Sequence, residues 1–440
     1  MTRRALAVLV GISTAGIIGR TAGAAIIDYR DTLDLAVAAP DEIDPALRTN
    51  RLDLYVGDQF AYDSNLFRLP ANVDLVGLPG IGNNPSRGDY INSASGGLSM
   101  VYLVGQRQSF DVDLNATDNR YVHNTDLNNI SSTDKVAWNW GVGNALSGQV
   151  GADYFRQLAG FINTQIYSRD ILQREEYFAS SRLQVGPRWT VFGGILGAKQ
   201  ELSNQQALFN NSSSKAVDFG FDFATNAANL VGFDYRYTDN RSPNAAELNG
   251  IIFDPDYRED RARLLVKYAL TDKTTIDASA GYLKRQYPST AIGSFSGEIW
   301  RATLLWQPTA KTQLFASTWQ NLAADFTAQT DYYRSRGVTV SPIWTASEKI
   351  QLAVVVSYEH QDYLGTNPPG NLLGEVQQAN RRDNINSQGA TLTYTPIGPL
   401  NLTFSLSHEK RDTNDTVFGY NDVRASAGVI WKFIHHGDRL

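Results

Sequence analysis

Arg261, Arg263 and Lys267 fall on one parity of the segment 258–270, and Ala262, Leu264, Val266 and Tyr268 fall on the other. Such cations could hold anionic or hydroxyl-rich solutes through charge-assisted hydrogen bonds, provided the backbone is extended and places them on one surface. Arg301 occupies the matching parity of 298–306, where Trp300, Ala302, Leu304 and Trp306 are the apolar set. Acidic residues alternate in the same way. Asp277 lies opposite in parity to Ile276, Ala278, Ala280 and Tyr282, and Asp111 and Asp113 lie opposite Phe110, Val112 and Leu114. Asp153 and Arg182 follow the same logic, as do Asp218, Asp222, Asp234 and Arg236. Interleaved opposite charges on neighbouring strands attract one another, so for any one of these residues the simpler role is to solvate and stiffen a wall. The group expected to touch solute is Arg261, Arg263, Lys267 and Arg301.

Catalytic chemistry finds weaker material. Of the five histidines, only His408, after Ser405 and Ser407, sits where a nucleophile and a base could meet. Neighbours in a strand point to opposite faces, so Ser407 and His408 do not face each other, and Ser405 is three residues away. His435 and His436 form a short imidazole pair near the end of the chain, more simply read as solvated. No Ser-His-acid arrangement, metal-ligand spacing or phosphate loop stands out, and no cofactor or metal is implied.

The elements that would position these side chains are strands. In 217–237, Val217, Phe219, Phe221 and Phe223 share one face, and after a turn Val231, Phe233, Tyr235 and Tyr237 do the same. The intervening positions hold Asp218, Gly220, Asp222, Gly232, Asp234 and Arg236. One surface is thus aromatic or aliphatic and the other charged, and lipid is the simplest cover for so long an apolar row. The composition agrees, with 21 Tyr, 19 Phe and 8 Trp against 2 Met. A mean hydropathy of -0.30 is low, as expected when half of every strand faces water. The chain contains no cysteine and owes nothing to disulfides. A formal net charge of -6, without a basic tail, gives no reason to expect a nucleic-acid partner.

Short polar turns recur at 104–109, 142–148, 185–189, 225–229, 271–273, 307–311, 345–349 and 397–399. Apolar or aromatic residues flank these turns, which places a hydrophobic girdle at one membrane surface. Longer Asn/Asp/Gly-rich connections, such as 64–88, 237–256 and 364–384, separate the hairpins. Eight short turns and nine long loops predict about 18 strands in an all-β, transmembrane antiparallel β-barrel, with short periplasmic turns and long extracellular loops. The last strand, VRASAGVIWKF, puts Val423, Ala425, Ala427, Val429, Trp431 and Phe433 on one face. The expected organisation is a secretory signal over 1–25, a short periplasmic segment over 26–50, the barrel over 51–433 and a periplasmic tail over 434–440. Such a chain belongs in the outer membrane of a Gram-negative bacterium, in contact with outer-membrane lipid. A barrel of this size leaves an aqueous channel. The segment before the first strand is too short for a plug domain, so a constriction would have to come from a long loop folded inward.

The segment LYVGDQFAYDSNLFRLP (54–70) resembles the start of the EpsL-like outer-membrane proteins of exopolysaccharide operons, a group of β-barrel porins. The residues carrying the resemblance are Tyr62, Asp63, Asn65, Leu66, Phe67 and Arg68, and the turn WQPTAKTQL and the closing GVIWKF are similar as well. A purely structural reading also exists, in which Asp-Ser-Asn ends a strand and Leu-Phe packs at the barrel mouth. The resemblance implies a non-enzymatic conduit for an exopolysaccharide chain, working with periplasmic polysaccharide export and polymerase-associated proteins. The alternatives are a general or substrate-selective diffusion porin for small polar solutes, and an adhesive or structural barrel with a closed lumen. Two strands resist assignment: in QLFASTWQ the apolar residues split between faces, and Arg334 and Arg336 share parity with Val338 and Val340. A bulge, or a position above the membrane rim, would account for the arginines.

Overall fold

Alternation of side-chain character along the chain becomes alternation of environment in the computed structural model. The structure describes residues 50–436 except 83–84, 163–166, 205–210, 227–228, 245, 249–250, 255, 289–292, 325–331, 365–380 and 416. The expected secretory signal lies outside the described residues, as does the acidic lead-in up to residue 49.

The strands in chain order are β1 (Arg51–Asp63), β2 (Asp89–Val104), β3 (Gln108–Tyr121), β4 (Asn129–Val142), β5 (Leu146–Leu158), β6 (Ile171–Val185), β7 (Trp189–Leu202), β8 (Ser212–Asn226) and β9 (Asn229–Arg241). After a small hairpin of β10 (Ala246–Leu248) and β11 (Ile251–Phe253) come β12 (Tyr257–Thr271), β13 (Thr274–Gln286), β14 (Phe295–Thr309), β15 (Thr312–Ala324) and β16 (Tyr332–Ser347). The chain finishes with β17 (Ile350–Leu364), β18 (Arg382–Ile397), β19 (Leu400–Thr413) and β20 (Tyr420–His436). All but the β10–β11 hairpin belong to one 18-stranded sheet in which sequential neighbours pair antiparallel. The sheet closes on itself where β1 pairs β20, from Arg51↔His436 to Asp63↔Arg424. Each expected turn and longer connection marks a junction between consecutive strands of the sheet, although β14 and β16 run into the expected turns as far as Thr309 and Ser347, and β9 runs into the expected loop 237–256 as far as Arg241. Glycines at positive φ make three of the tight turns: Gly105 (67°), Gly143 (60°) and Gly186 (72°).

β20 runs beyond the expected end at Phe433, because Arg51–Asp53 of β1 offer partners to residues 434–436. Among the described residues no helix is long and apolar enough to cross a membrane. The crossing is made by strands of 13 to 17 residues, longer than the roughly 9–11 a tilted transmembrane strand needs.

Outward positions carry the large exposed apolar side chains, among them Ile195 (59% exposed), Phe219 (55%), Leu264 (61%) and Leu406 (59%). A soluble protein would not leave so continuous an apolar surface uncovered. Near the short turns this belt ends in exposed aromatics, including Tyr102, Trp189, Trp306, Trp344, Tyr394 and Trp431, which form the girdle of the periplasmic interface. Rings on adjacent strands touch along the belt: Phe219 and Tyr235 are 5.2 Å apart and Trp189 and Phe223 4.7 Å.

If this belt faces hydrocarbon, Phe219→Arg near the middle of β8 destabilises the lipid-embedded barrel by about 2–4 kcal/mol, whereas Ser357→Arg, on the inner face of β17, changes stability far less. Urea titrations of folding into lipid vesicles measure both, and equal costs would refute the facing.

Candidate functional site: the lumen and its extracellular mouth

The inner face carries the charge. Asp218 and Asp222 on β8 and Asp234 and Arg236 on β9 are all buried against their neighbours on the lumen side. Arg236 bonds Asp218, Arg182 bonds Asp222 from two strands away, and Arg263 grips Asp234 through Nε (3.0 Å) and Nη2 (2.7 Å). Arg261 is the register partner of Arg236 and lies within electrostatic reach of Asp218. These residues therefore form one mesh across β6 to β12. Glycine gives the mesh room: a Cβ on Gly232 would meet the carboxylate of Asp222, and one on Gly220 the Phe192 ring.

The cations expected to act together divide between two settings. Arg261 and Arg263 are built into the wall mesh, whereas Lys267 is opposite Asp277 in register, and Arg301, opposite Ser279, lies farther round on β14. Asp111 accepts hydrogen bonds from Asn139 (2.8 Å) and Ser109 (3.1 Å), and Lys135 lies between Asp113 on β3 and Asp153 on β5 in register. In the closed strand order β3 stands nine strands from β14, so the Asp111–Asp113 wall faces the Arg301 wall across the channel.

The two strands that resisted parity are resolved without a bulge at the positions concerned. On β15, Leu314, Ala316, Thr318 and Gln320 pair with the outward set Pro342, Val340, Val338 and Arg336. Phe315, Ser317 and Trp319 therefore face the lumen, where Trp319 donates to Ser335 Oγ (3.1 Å). Its ring lies where a Cβ on Gly337 would stand, so the glycine is what admits a lumenal tryptophan. Arg334 and Arg336 do face outward, near the extracellular ends of their strands. Their register with β15 and β17 is continuous there, so the rim explanation holds and the bulge does not.

At the mouth, the β1–β2 loop folds inward. Arg68 is buried and bonds Asp63 in bidentate fashion (3.1 and 2.9 Å), and it reaches Asp422 at 3.2 Å. Arg424 completes the square, 3.0 Å from Asp63 and 2.8 Å from Asp422. Asp63 belongs to β1 and Asp422 and Arg424 to β20, so four charges lock the barrel seam on its lumen side. Burial pushes the Arg68 guanidinium towards losing its proton, but the Asp63 carboxylate outweighs this and holds its pKa above the ordinary value. The backbone of Arg68 is left-handed (φ 55°), which is uncommon for a residue with a Cβ. Asn65 holds that turn: its side chain donates to Leu69 O (2.8 Å) and Asn421 O (3.1 Å) and accepts from Leu69 N (3.1 Å).

Leu66 and Phe67 point away from this square into an apolar cluster with Leu69, Leu127, Phe161 and Tyr167. Phe67 packs at a tilt against Phe161, 5.0 Å between ring centroids, and meets Tyr167 edge-on at 6.0 Å. The loops after β1, β3 and β5 thus share one small core at the extracellular end. Tyr62 has a separate place, outward, 4.9 Å from Tyr90. Asp89 and the Arg381–Asp383–Arg411 group brace other parts of the rim, yet in sequence they are ordinary strand-end charges. Asp89 accepts from the backbone of His123 (2.9 Å) and Asn124 (2.7 Å), and Asp383 bonds both Arg381 and Arg411.

The hydrolase constellation does not assemble. His408 Nε2 lies 2.6 Å from Asn421 Oδ1 on the outer face, and Ser405 bonds Thr391 (2.9 Å) on the inner one. The wall stands between them. The backbone of His435 and His436 belongs to β20.

A family model described as "Putative beta-barrel porin 2" matches residues 261–433. That match spans well under half of the chain, and the closed sheet of 18 antiparallel strands makes the chain an outer-membrane β-barrel. Among solved structures, Pseudomonas aeruginosa OpdL is similar at 11% identity and TM-score 0.45, covering 88% of this chain and 99% of that one. The outer membrane protein opdK of the same organism is similar at 13% identity and TM-score 0.47, with 88% and 99% covered. P. aeruginosa OccK2 (OpdF), solved in complex with glucuronate, is similar at 11% identity and TM-score 0.45, with 87% and 98% covered. No curated protein matches the sequence.

Removing Arg68 leaves Asp63 and Asp422 buried with one cation fewer, a loss on the order of 3–5 kcal/mol for a buried pair. Arg68→Ala is therefore expected to release the β1–β2 loop from the mouth while the barrel ladder persists. Protease cleavage within 71–82 and single-channel conductance should both rise, and unchanged values would show that the square does not hold the loop.

Proposed function

We propose that the protein is a passive, substrate-selective diffusion porin for small polar solutes. The observation that carries this reading is the mouth: a lumen lined by paired charges has a loop anchored to its inner face by Arg68, Asp63, Asp422 and Arg424. A solute passing such a wall exchanges water for Asp, Arg, Ser and Thr side chains, each contact weak enough to be left behind. Facing cationic and acidic walls orient dipolar or charged solutes, and no energy input is required. A bulky polymer would need the loop displaced.

Export of an exopolysaccharide with periplasmic export and polymerase-associated partners is the second reading. It rests on the YDSNLFR segment, whose residues the seam lock and the loop core also account for. A clean deletion in the native host separates the two. Slowed uptake of small polar solutes with normal secreted polysaccharide supports the diffusion porin, and loss of secreted polysaccharide with accumulation in the periplasm overturns it. In planar bilayers, Lys267→Gln combined with Arg301→Gln should shift the reversal potential under a salt gradient towards cation preference. An unchanged potential would remove these residues from the conduction path.

A further inference from the structure

Outward side chains of β15 to β20 become polar well before the strands end, and they do so as one connected row. Arg336 Nε donates to Gln320 Oε1 (2.8 Å), which joins β16 to β15, and Arg334 Nη2 donates to Asp362 Oδ2 (2.9 Å), which joins β16 to β17. Asp362 also has Arg382 of β18 at 3.8 Å and His360 Nε2 at 3.1 Å. Tyr358 OH donates to Asn384 Oδ1 (2.8 Å), and His360 Nδ1 lies 2.8 Å from the same oxygen. The row continues through Gln388 and His408 (3.3 Å) to Asn421 on β20. Directly below it along the same strands lie Val338, Val356, Leu392 and Leu406, all exposed members of the apolar belt.

This sector gathers three outward arginines on the two strands that flank β17, Arg334 and Arg336 on β16 and Arg382 on β18. On other parts of the rim, Arg120 and Lys199 each meet an acid of their own, Asp118 (2.9 Å) and Glu201 (2.8 Å). Here Arg334 and Arg382 share one carboxylate, Asp362, Arg336 is held by the Gln320 amide, and Lys410 pairs with Asp412 (2.8 Å). A positive surface on the outer face immediately above an apolar one complements a lipid whose headgroup is anionic. Guanidinium groups held in place by their neighbours match phosphate oxygens in a bidentate manner. The amides and imidazoles beside them match sugar hydroxyls. Long loops put this rim at the extracellular leaflet, where the lipid is a phosphorylated glycolipid.

We propose that the outer rim of β15 to β19 is a binding site for the phosphorylated headgroup of the outer-leaflet glycolipid. Arg334, Arg336 and Arg382 take the phosphate, Asn384, Gln388 and His408 the sugar, and the belt below takes the acyl chains. The site is independent of what passes through the lumen.

The test uses the full-length protein extracted from outer membranes in mild detergent, with bound glycolipid counted by native mass spectrometry. Wild type should retain glycolipid, and a variant combining R334Q, R336Q and R382Q should retain several-fold less, whereas R120Q with K199Q, outside this sector, should match wild type. Heat-modified migration on gels reports that each barrel is folded. Should the triple variant misfold, R336Q and R382Q singly are each expected to lower retention. In lipid nanodiscs, enzymatically dephosphorylated glycolipid should bind several-fold more weakly than the intact molecule. Equal retention by the folded variants, equal binding of the dephosphorylated lipid, or a dimer of this chain that these substitutions dissociate would overturn the proposal.

Discussion

A backbone N–H or C=O facing hydrocarbon without a partner costs several kcal/mol, and a sheet has two edges full of them. The pairing of β1 with β20 is the contact that removes those edges, and the rest of the molecule depends on it. Once the sheet is closed, every strand has an inside and an outside, so two-residue periodicity becomes a division between lipid and water. Aromatic and aliphatic residues on one parity then form a continuous belt, and Asp, Arg, Ser and Gly on the other form a channel wall. The eight tight turns and nine longer connections follow from the same closure, since an even number of strands returns the chain to the side on which it began.

The seam also carries the densest arrangement of buried charge at the mouth. Ions taken out of water recover their hydration energy only when they are paired and fully hydrogen-bonded. Asp63, Arg68, Asp422 and Arg424 place two carboxyl groups against two guanidinium groups for this reason. A loop residue supplies one of the bases, so seam and loop are ordered together: the strands position Asp63 and Asp422, and their charge draws Arg68 inward. The Asn65 turn and the Leu66–Phe67 cluster give that loop a fixed shape and tie it to the loops after β3 and β5. The short motif that suggested a family thus has a physical role in the barrel, at its seam and its extracellular mouth.

On the lumen wall, the same reasoning shows which charges are engaged within the wall itself. Arg236, Arg263 and Arg182 each spend their charge on an aspartate of β8 or β9. Asp111 is satisfied by an amide and a hydroxyl. Across the channel, acidic β3 opposes Arg301 on β14, an arrangement that no single strand contains.

Fold class, strand number, turn positions and the inner or outer facing of residues such as Asp218, Phe219, Arg261 and Asp277 were legible in the amino-acid sequence, because they depend only on period-two alternation and local turn chemistry. Trp319 was not legible, because its inward position requires Gly337 on the neighbouring strand to leave room for the ring. Arg334 and Arg336 were ambiguous for a related reason: parity gives a facing and not a height, and only the assembled barrel sets them beside Gln320 and Asp362 at the outer rim. Nor could sequence distance show that Arg68 pairs with Asp422, more than 350 positions away, since that contact exists only where the first strand meets the last. The sequence by itself determined the barrel and the two faces of its wall, which are local properties of each strand. Which charges pair across strands, which loop is anchored at the mouth and which arginines stand at the outer rim were decided by the tertiary structure, because closure alone brings distant strands and loops within reach of one another.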